Sequence, residues 1–75
     1  MNNLPSRETV ECLRKSYPPG CRVRLIKMND IQAPPIGSLG TVIGVDDIGS
    51  VMVRWDCGSS QSVLYGEDLC QKVKD

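Results

Sequence analysis

The sequence predicts a mainly β fold, a small barrel of four or five antiparallel strands preceded by one short α-helix. Two observations carry this expectation. Residues 40–60 read as two β-strands joined by a tight turn, and further short strand patterns separated by turn residues flank them. Helical periodicity is confined to the segment before Pro18.

The central hairpin is the clearest element. Thr41, Val42, Ile43 and Val45 are β-branched, the side-chain type that packs best on a pleated surface. On the return strand Val51, Val53 and Trp55 alternate with Met52 and Arg54, so one face points inward and Trp55 is expected in the core. Asp46, Asp47, Ile48 and Gly49 suit a type I turn closed by a left-handed glycine. A second turn at Asp56, Cys57 and Gly58 calls for positive φ at Gly58 alone, because cysteine tolerates it poorly.

Residues 1–5 are expected to fray. A helix follows over residues 6–17, with Ser6 as N-cap, Glu8 in the first turn, and an apolar stripe of Val10, Leu13 and Tyr17. Too short to stand alone, it must dock on the barrel or on a partner. Tyr17, Pro18, Pro19 and Gly20 end it in a turn. Residues 21–28 alternate Val23 and Leu25 with Arg22, Arg24 and Lys27 and form the first strand. Residues 29–38, carrying Pro34, Pro35 and Gly37, form the longest irregular segment, a place where small barrels often carry function. Residues 61–65 read as a fourth strand and residues 69–73 as a closing one. Residues 18–75 thus make one SH3-like barrel. A five-stranded barrel of the oligonucleotide-binding type is the alternative, for which these strands are short.

Seventy-five residues suffice for one small core. Nine basic and nine acidic residues cancel, so no global field attracts nucleic acid or acidic membranes. No apolar run of membrane-spanning length or leader-like segment occurs, which points to the cytoplasm and away from membranes. In that compartment the four cysteines read as reduced thiols.

Between Tyr17 and Asp68 stand Tyr17, Pro18, Pro19 and Gly20 with Arg22 and Val23, then Ala33, Pro34 and Pro35. The run GTVIGVDDIG and the pattern WD.GSS, from Trp55 to Ser60, follow. In these residues the chain resembles an uncharacterised bacterial family, domain of unknown function 4314. The resemblance supports the barrel and implies no activity. More loosely, V.VRWD.GS followed by Asp68 and Leu69 is similar to SH3-like modules that bind proteins. Cys21 stands where the family usually has threonine, and Cys57 where it has asparagine, which argues against a metal role common to its members.

No catalytic residue, cofactor or metal is expected. The cysteines at 12, 21, 57 and 70 form no C-x-x-C pair, and the chain has no histidine to serve as ligand or base. Asp46, Asp47 and Asp56 all fall at turns, where aspartate caps its own backbone. The leading expectation is a non-enzymatic module, monomeric or weakly dimeric, that binds another protein. Its partner-binding candidates are Ile31, Gln32 and Ile36 of the long loop with Asp46, Asp47 and Ile48 of the hairpin rim. The alternative is a weak nucleic-acid binder using Arg22, Arg24, Lys27 and Arg54, of which Arg22, Arg24 and Arg54 oppose the apolar positions of their strands in parity.

Overall fold

The computed structural model describes residues 5–73. In chain order it contains α1 (Arg7–Ser16), β1 (Arg22–Lys27), β2 (Leu39–Val45), β3 (Ser50–Trp55), β4 (Val63–Leu64) and β5 (Leu69–Lys72). The strands form one antiparallel sheet of order β4-β3-β2-β1-β5. A mainly β domain with one short helix is what the sequence predicts. The frayed segment expected over residues 1–5 lies, Pro5 apart, outside the described residues.

β4 and β5 stand at opposite ends of the sheet order, yet only residues 65–68 separate them in the chain. Leu64 O accepts from Glu67 N at 3.2 Å and Asp68 N at 2.9 Å, closing that link into a turn. A flat five-stranded sheet would hold its edges about 19 Å apart. The sheet must therefore curl until β4 and β5 approach each other, as they do. This curl is compatible with the SH3-like barrel.

The core runs in cross-strand rows. Val23, Gly40 and Trp55 are register partners across β1, β2 and β3, as are Val45, Val51 and Val63 across β2, β3 and β4. Trp55 is 1% exposed, and its indole Nε1 donates to Gln61 O at 2.8 Å, so its one polar atom is satisfied inside. Gly40 makes room for it: a Cβ there would lie 2.8 Å from Trp55 Cε3 and 2.6 Å from Val53 Cγ1. Pro34 of the long loop is buried and Ala33 packs on the core, so the proline-rich loop closes one end of the domain.

Ser6 caps α1 as expected, its Oγ accepting from Thr9 N at 3.1 Å. Val10 enters the core, with Leu13 and Tyr17 packed beside it. Arg14 then fastens the helix to the hairpin, Nε donating to Val45 O at 3.1 Å and Nη2 to Asp47 Oδ1 at 2.8 Å. Gly49 and Gly58 take positive φ, 83° and 98°, as their turns require.

The fourth strand is shorter than expected. Residues 61–65 hold only Val63 and Leu64 in ladder geometry. Gln61 O is taken by the indole and Gln61 N donates to Ser59 Oγ at 3.3 Å, while the closing turn already begins at Tyr65. The turn aspartates also divide. Asp46 Oδ1 accepts from Ile48 N and Ser50 N at 3.1 and 2.8 Å, but Asp47 pairs with Arg14 and Asp56 with Arg22, so only Asp46 caps its own turn.

Trp55→Ala should unfold the domain at room temperature by circular dichroism. Losing a buried tryptophan costs about 3–5 kcal/mol, about all that a core this small supplies; a folded variant would contradict the packing. Gly40→Ala should lower stability by roughly 1–3 kcal/mol through overpacking. Gly44→Ala, whose Cβ meets only Met52 Cε at 3.6 Å, should be close to neutral. Equal shifts in their melting temperatures would refute the close approach at Gly40.

Candidate functional site

The hairpin turn and the closing turn shape a concave surface between them. Because Asp46 holds the backbone of Ile48 and Ser50, the Ile48 side chain between them is left outside, 51% exposed. Across from it, the 64–68 turn is locked by Leu64 N donating to Asp68 Oδ2 at 2.9 Å, and by positive φ at Gly66. That geometry turns Tyr65 outward, 48% exposed, with Leu64 and Leu69 also exposed on either side. Ile48, Leu64 and Tyr65, with Pro5, line a groove of about 490 Å³. A second hollow of about 350 Å³ continues from Tyr65 and Gly66 to Leu69, with Leu13 of α1 and its C-cap Tyr17 as a wall. Tyr17 Oη donates to Cys70 O at 3.4 Å, which steadies that wall.

The partner-binding candidates from the sequence do not form one surface. The long loop enters the N-terminal end of β2 and the Asp46 turn leaves its C-terminal end. Seven strand residues put these ends about 20 Å apart. Ile31 and Ile36 are exposed at the loop end, and Gln32 is exposed there with its N–H donating to Asp30 Oδ1 at 2.8 Å. Asp46 and Asp47 serve the turn and the helix. Ile48 alone of the six lies in the groove.

Of the basic candidates, Arg22, Arg24 and Arg54 share the outer sheet face. Arg22, Thr41 and Arg54 are register partners across three strands, with Arg24 two residues along β1. Arg22, however, forms a two-pronged pair with Asp56, Nη1 to Oδ1 at 2.9 Å and Nη2 to Oδ2 at 2.6 Å, and Nη1 also reaches Thr41 Oγ1 at 2.9 Å. Arg24 and Arg54 are exposed beside it. Lys27 lies beyond an irregularity in β1, opposite Leu69 on β5.

The cysteines divide between surface and interior. Cys12 and Cys57 are exposed, while Cys21 and Cys70 are half-buried against the core, and all four are free thiols. Burial pushes the Cys70 thiol up to about 11 and raises Cys21, and burial likewise raises the Tyr17 phenol. Those two thiols stay protonated at neutral pH and are poor nucleophiles. Among the described residues no three cysteine, aspartate or glutamate side chains gather as a metal-holding group.

The groove residues Leu64, Tyr65 and Leu69 escape sequence reasoning for one reason. Strand alternation carried through residues 61–65 places Tyr65 on the inner face with Val63, and only the early turn reverses it. A Tyr65-Gly66 pair ahead of two acidic residues is the one available hint of a turn there.

The Arg22 hydrogen bonds hold the Asp56 carboxyl below its ordinary value. A carboxylate depressed in the folded state contributes stability that is present above its unfolded pKa and is lost as pH falls through the folded one. Asp56→Asn should therefore melt below the parent protein at pH 7, and the gap should close on acidification below about pH 4. A gap independent of pH would show that the ion pair contributes nothing.

No helix among the described residues is long and apolar enough to cross a membrane. No curated protein and no solved structure matches the chain. Residues 6–73 match the family described as Domain of unknown function (DUF4314), a span covering α1 and all five strands. The chain belongs to that family.

Proposed function

We propose that this chain is a small non-enzymatic protein-interaction module of the bacterial cytoplasm that seats its partner in the groove between the hairpin turn and the closing turn. The observation that carries this reading is the convergence of the exposed apolar side chains Ile48, Leu64 and Tyr65 around one groove beside two hydrogen-bonded turns, with Leu69 of β5 in the adjoining hollow. Contiguous exposed apolar surface with one aromatic anchor is the usual centre of a protein interface. Four free thiols, two of them exposed, suit a reducing compartment. Cys21 and Cys70, held protonated, supply no nucleophile.

The nucleic-acid reading draws on the row of Arg22, Arg24 and Arg54. It is the weaker of the two because Asp56 already engages both terminal nitrogens of Arg22, which leaves Arg24 and Arg54 as the exposed cations of that row.

A photo-crosslinking phenylalanine analogue in place of Tyr65, expressed in the source cell, should yield discrete protein adducts. The same analogue at Gln71, exposed on β5, should yield few. Adding Ile48→Ser and Leu69→Ser should cut the Tyr65 adducts roughly tenfold, equivalent to about 1.4 kcal/mol of lost contact. Equal adducts from both positions, or adducts made of nucleic acid, would overturn the proposal.

A further inference from the structure

We infer that the groove's occupant is a cationic peptide segment, one apolar side chain seated against Tyr65 with lysine or arginine close by in sequence. The inference rests on the groove reading above and names the chemistry of its partner.

The apolar groove does not end at Leu64. Leu64 and Glu67 are also walls of a neighbouring polar cleft of about 470 Å³ that contains Asp30 and Asp68. Asp68 is shared in turn with the hollow beside α1. The three depressions form one continuous surface in which apolar floor and carboxylates alternate. Among the described residues, no lysine or arginine lines any of them. Of the described cations Lys27 comes nearest, opposite Leu69 in the sheet, and Arg7, Arg14 and Lys15 sit on α1 and Arg22, Arg24, Arg54 and Lys72 on β1, β3 and β5.

Two of the carboxylates are held in place by the backbone. Asp30 Oδ1 accepts from Gln32 N, and Asp68 Oδ2 from Leu64 N, so each is pinned at the rim. Glu67 projects from the same turn as Tyr65 and is exposed. A chain neutral overall thus concentrates three negative charges, Asp30, Glu67 and Asp68, in the polar cleft that adjoins the apolar groove. An acidic partner would be repelled, and a purely apolar one would leave the carboxylates unanswered. A segment bearing both an apolar anchor and cations satisfies both halves, and rim charges of this kind set specificity and association rate.

The test uses the full chain and a phage library of random twelve-residue peptides. Enriched peptides should pair a leucine or an aromatic residue with one or more lysines or arginines. A fluorescein-labelled copy of the most enriched peptide should bind, by anisotropy, more weakly at 500 mM than at 50 mM salt, since screening acts on exposed charges. Asp30→Asn with Glu67→Gln keeps the Gln32 hydrogen bond available and should weaken binding roughly three- to tenfold, as for two exposed charge contacts. Tyr65→Ala should abolish it. Enriched peptides that lack cations and ignore both salt and the double substitution would overturn this inference while leaving the groove as a docking site. No enrichment, or binding untouched by Tyr65→Ala, would overturn the groove reading and this inference together. Self-association in sedimentation runs that Tyr65→Ala removes would assign the groove to a second copy and equally overturn the cationic peptide.

Discussion

The burial of Trp55 over Gly40 is the contact on which the rest of the domain depends. An indole can lie across β2 only where the opposing residue has no side chain, and Gly40 is that residue, with Val23 as its register partner on β1. The indole N–H must then find an acceptor in the interior, and it finds Gln61 O. That bond folds residues 56–62 back over the end of β3. Trp55 N donating to Ser59 O, and Gly58 N to Trp55 O, hold the return in place. β4 is therefore short because its first residues are already committed to the tryptophan.

From that shortness follows the surface on which function is argued. A two-residue β4 leaves the chain at one edge of the sheet, with β5 to be formed at the other. Only by curling the sheet can four residues make that passage, and the turn that makes it carries Tyr65 to the outside. On the opposite bank Asp46 performs a similar service, holding two backbone N–H groups and leaving Ile48 outside. The groove is thus a by-product of two locked turns, which makes its walls rigid. Preorganised walls lower the entropic cost of seating a partner.

Electrostatics sorts the two faces of this neutral chain. On the outer sheet face the positive row is partly answered by Asp56, and Arg14 is spent in pinning α1 to the hairpin. At the groove the carboxylates of Asp30, Glu67 and Asp68 have no cation among the lining residues. Overall charge balance conceals this, because the balance is between faces and not within them.

The hairpin, the helix with its Ser6 cap, the core position of Trp55 and the left-handed glycines at 49 and 58 were all legible in the sequence by itself. Each depends on local chemistry: β-branched runs, alternation, an N-cap hydroxyl, or a backbone conformation that glycine alone adopts freely. The basic row of Arg22 and Arg54 was legible too, since strand parity decides which side a residue faces. Only the tertiary structure decided that Asp56 would claim Arg22 and Asp47 would claim Arg14, pairs 34 and 33 residues apart in the chain. It alone separated Ile31, Gln32 and Ile36 from Ile48 by the length of β2, and gathered Ile48 with Leu64 and Tyr65 instead. The physical reason is the same in each case. Alternation and capping are properties of neighbours in sequence, whereas the meeting of two sheet edges, and of the turns they carry, depends on the curl of the whole sheet around one tryptophan.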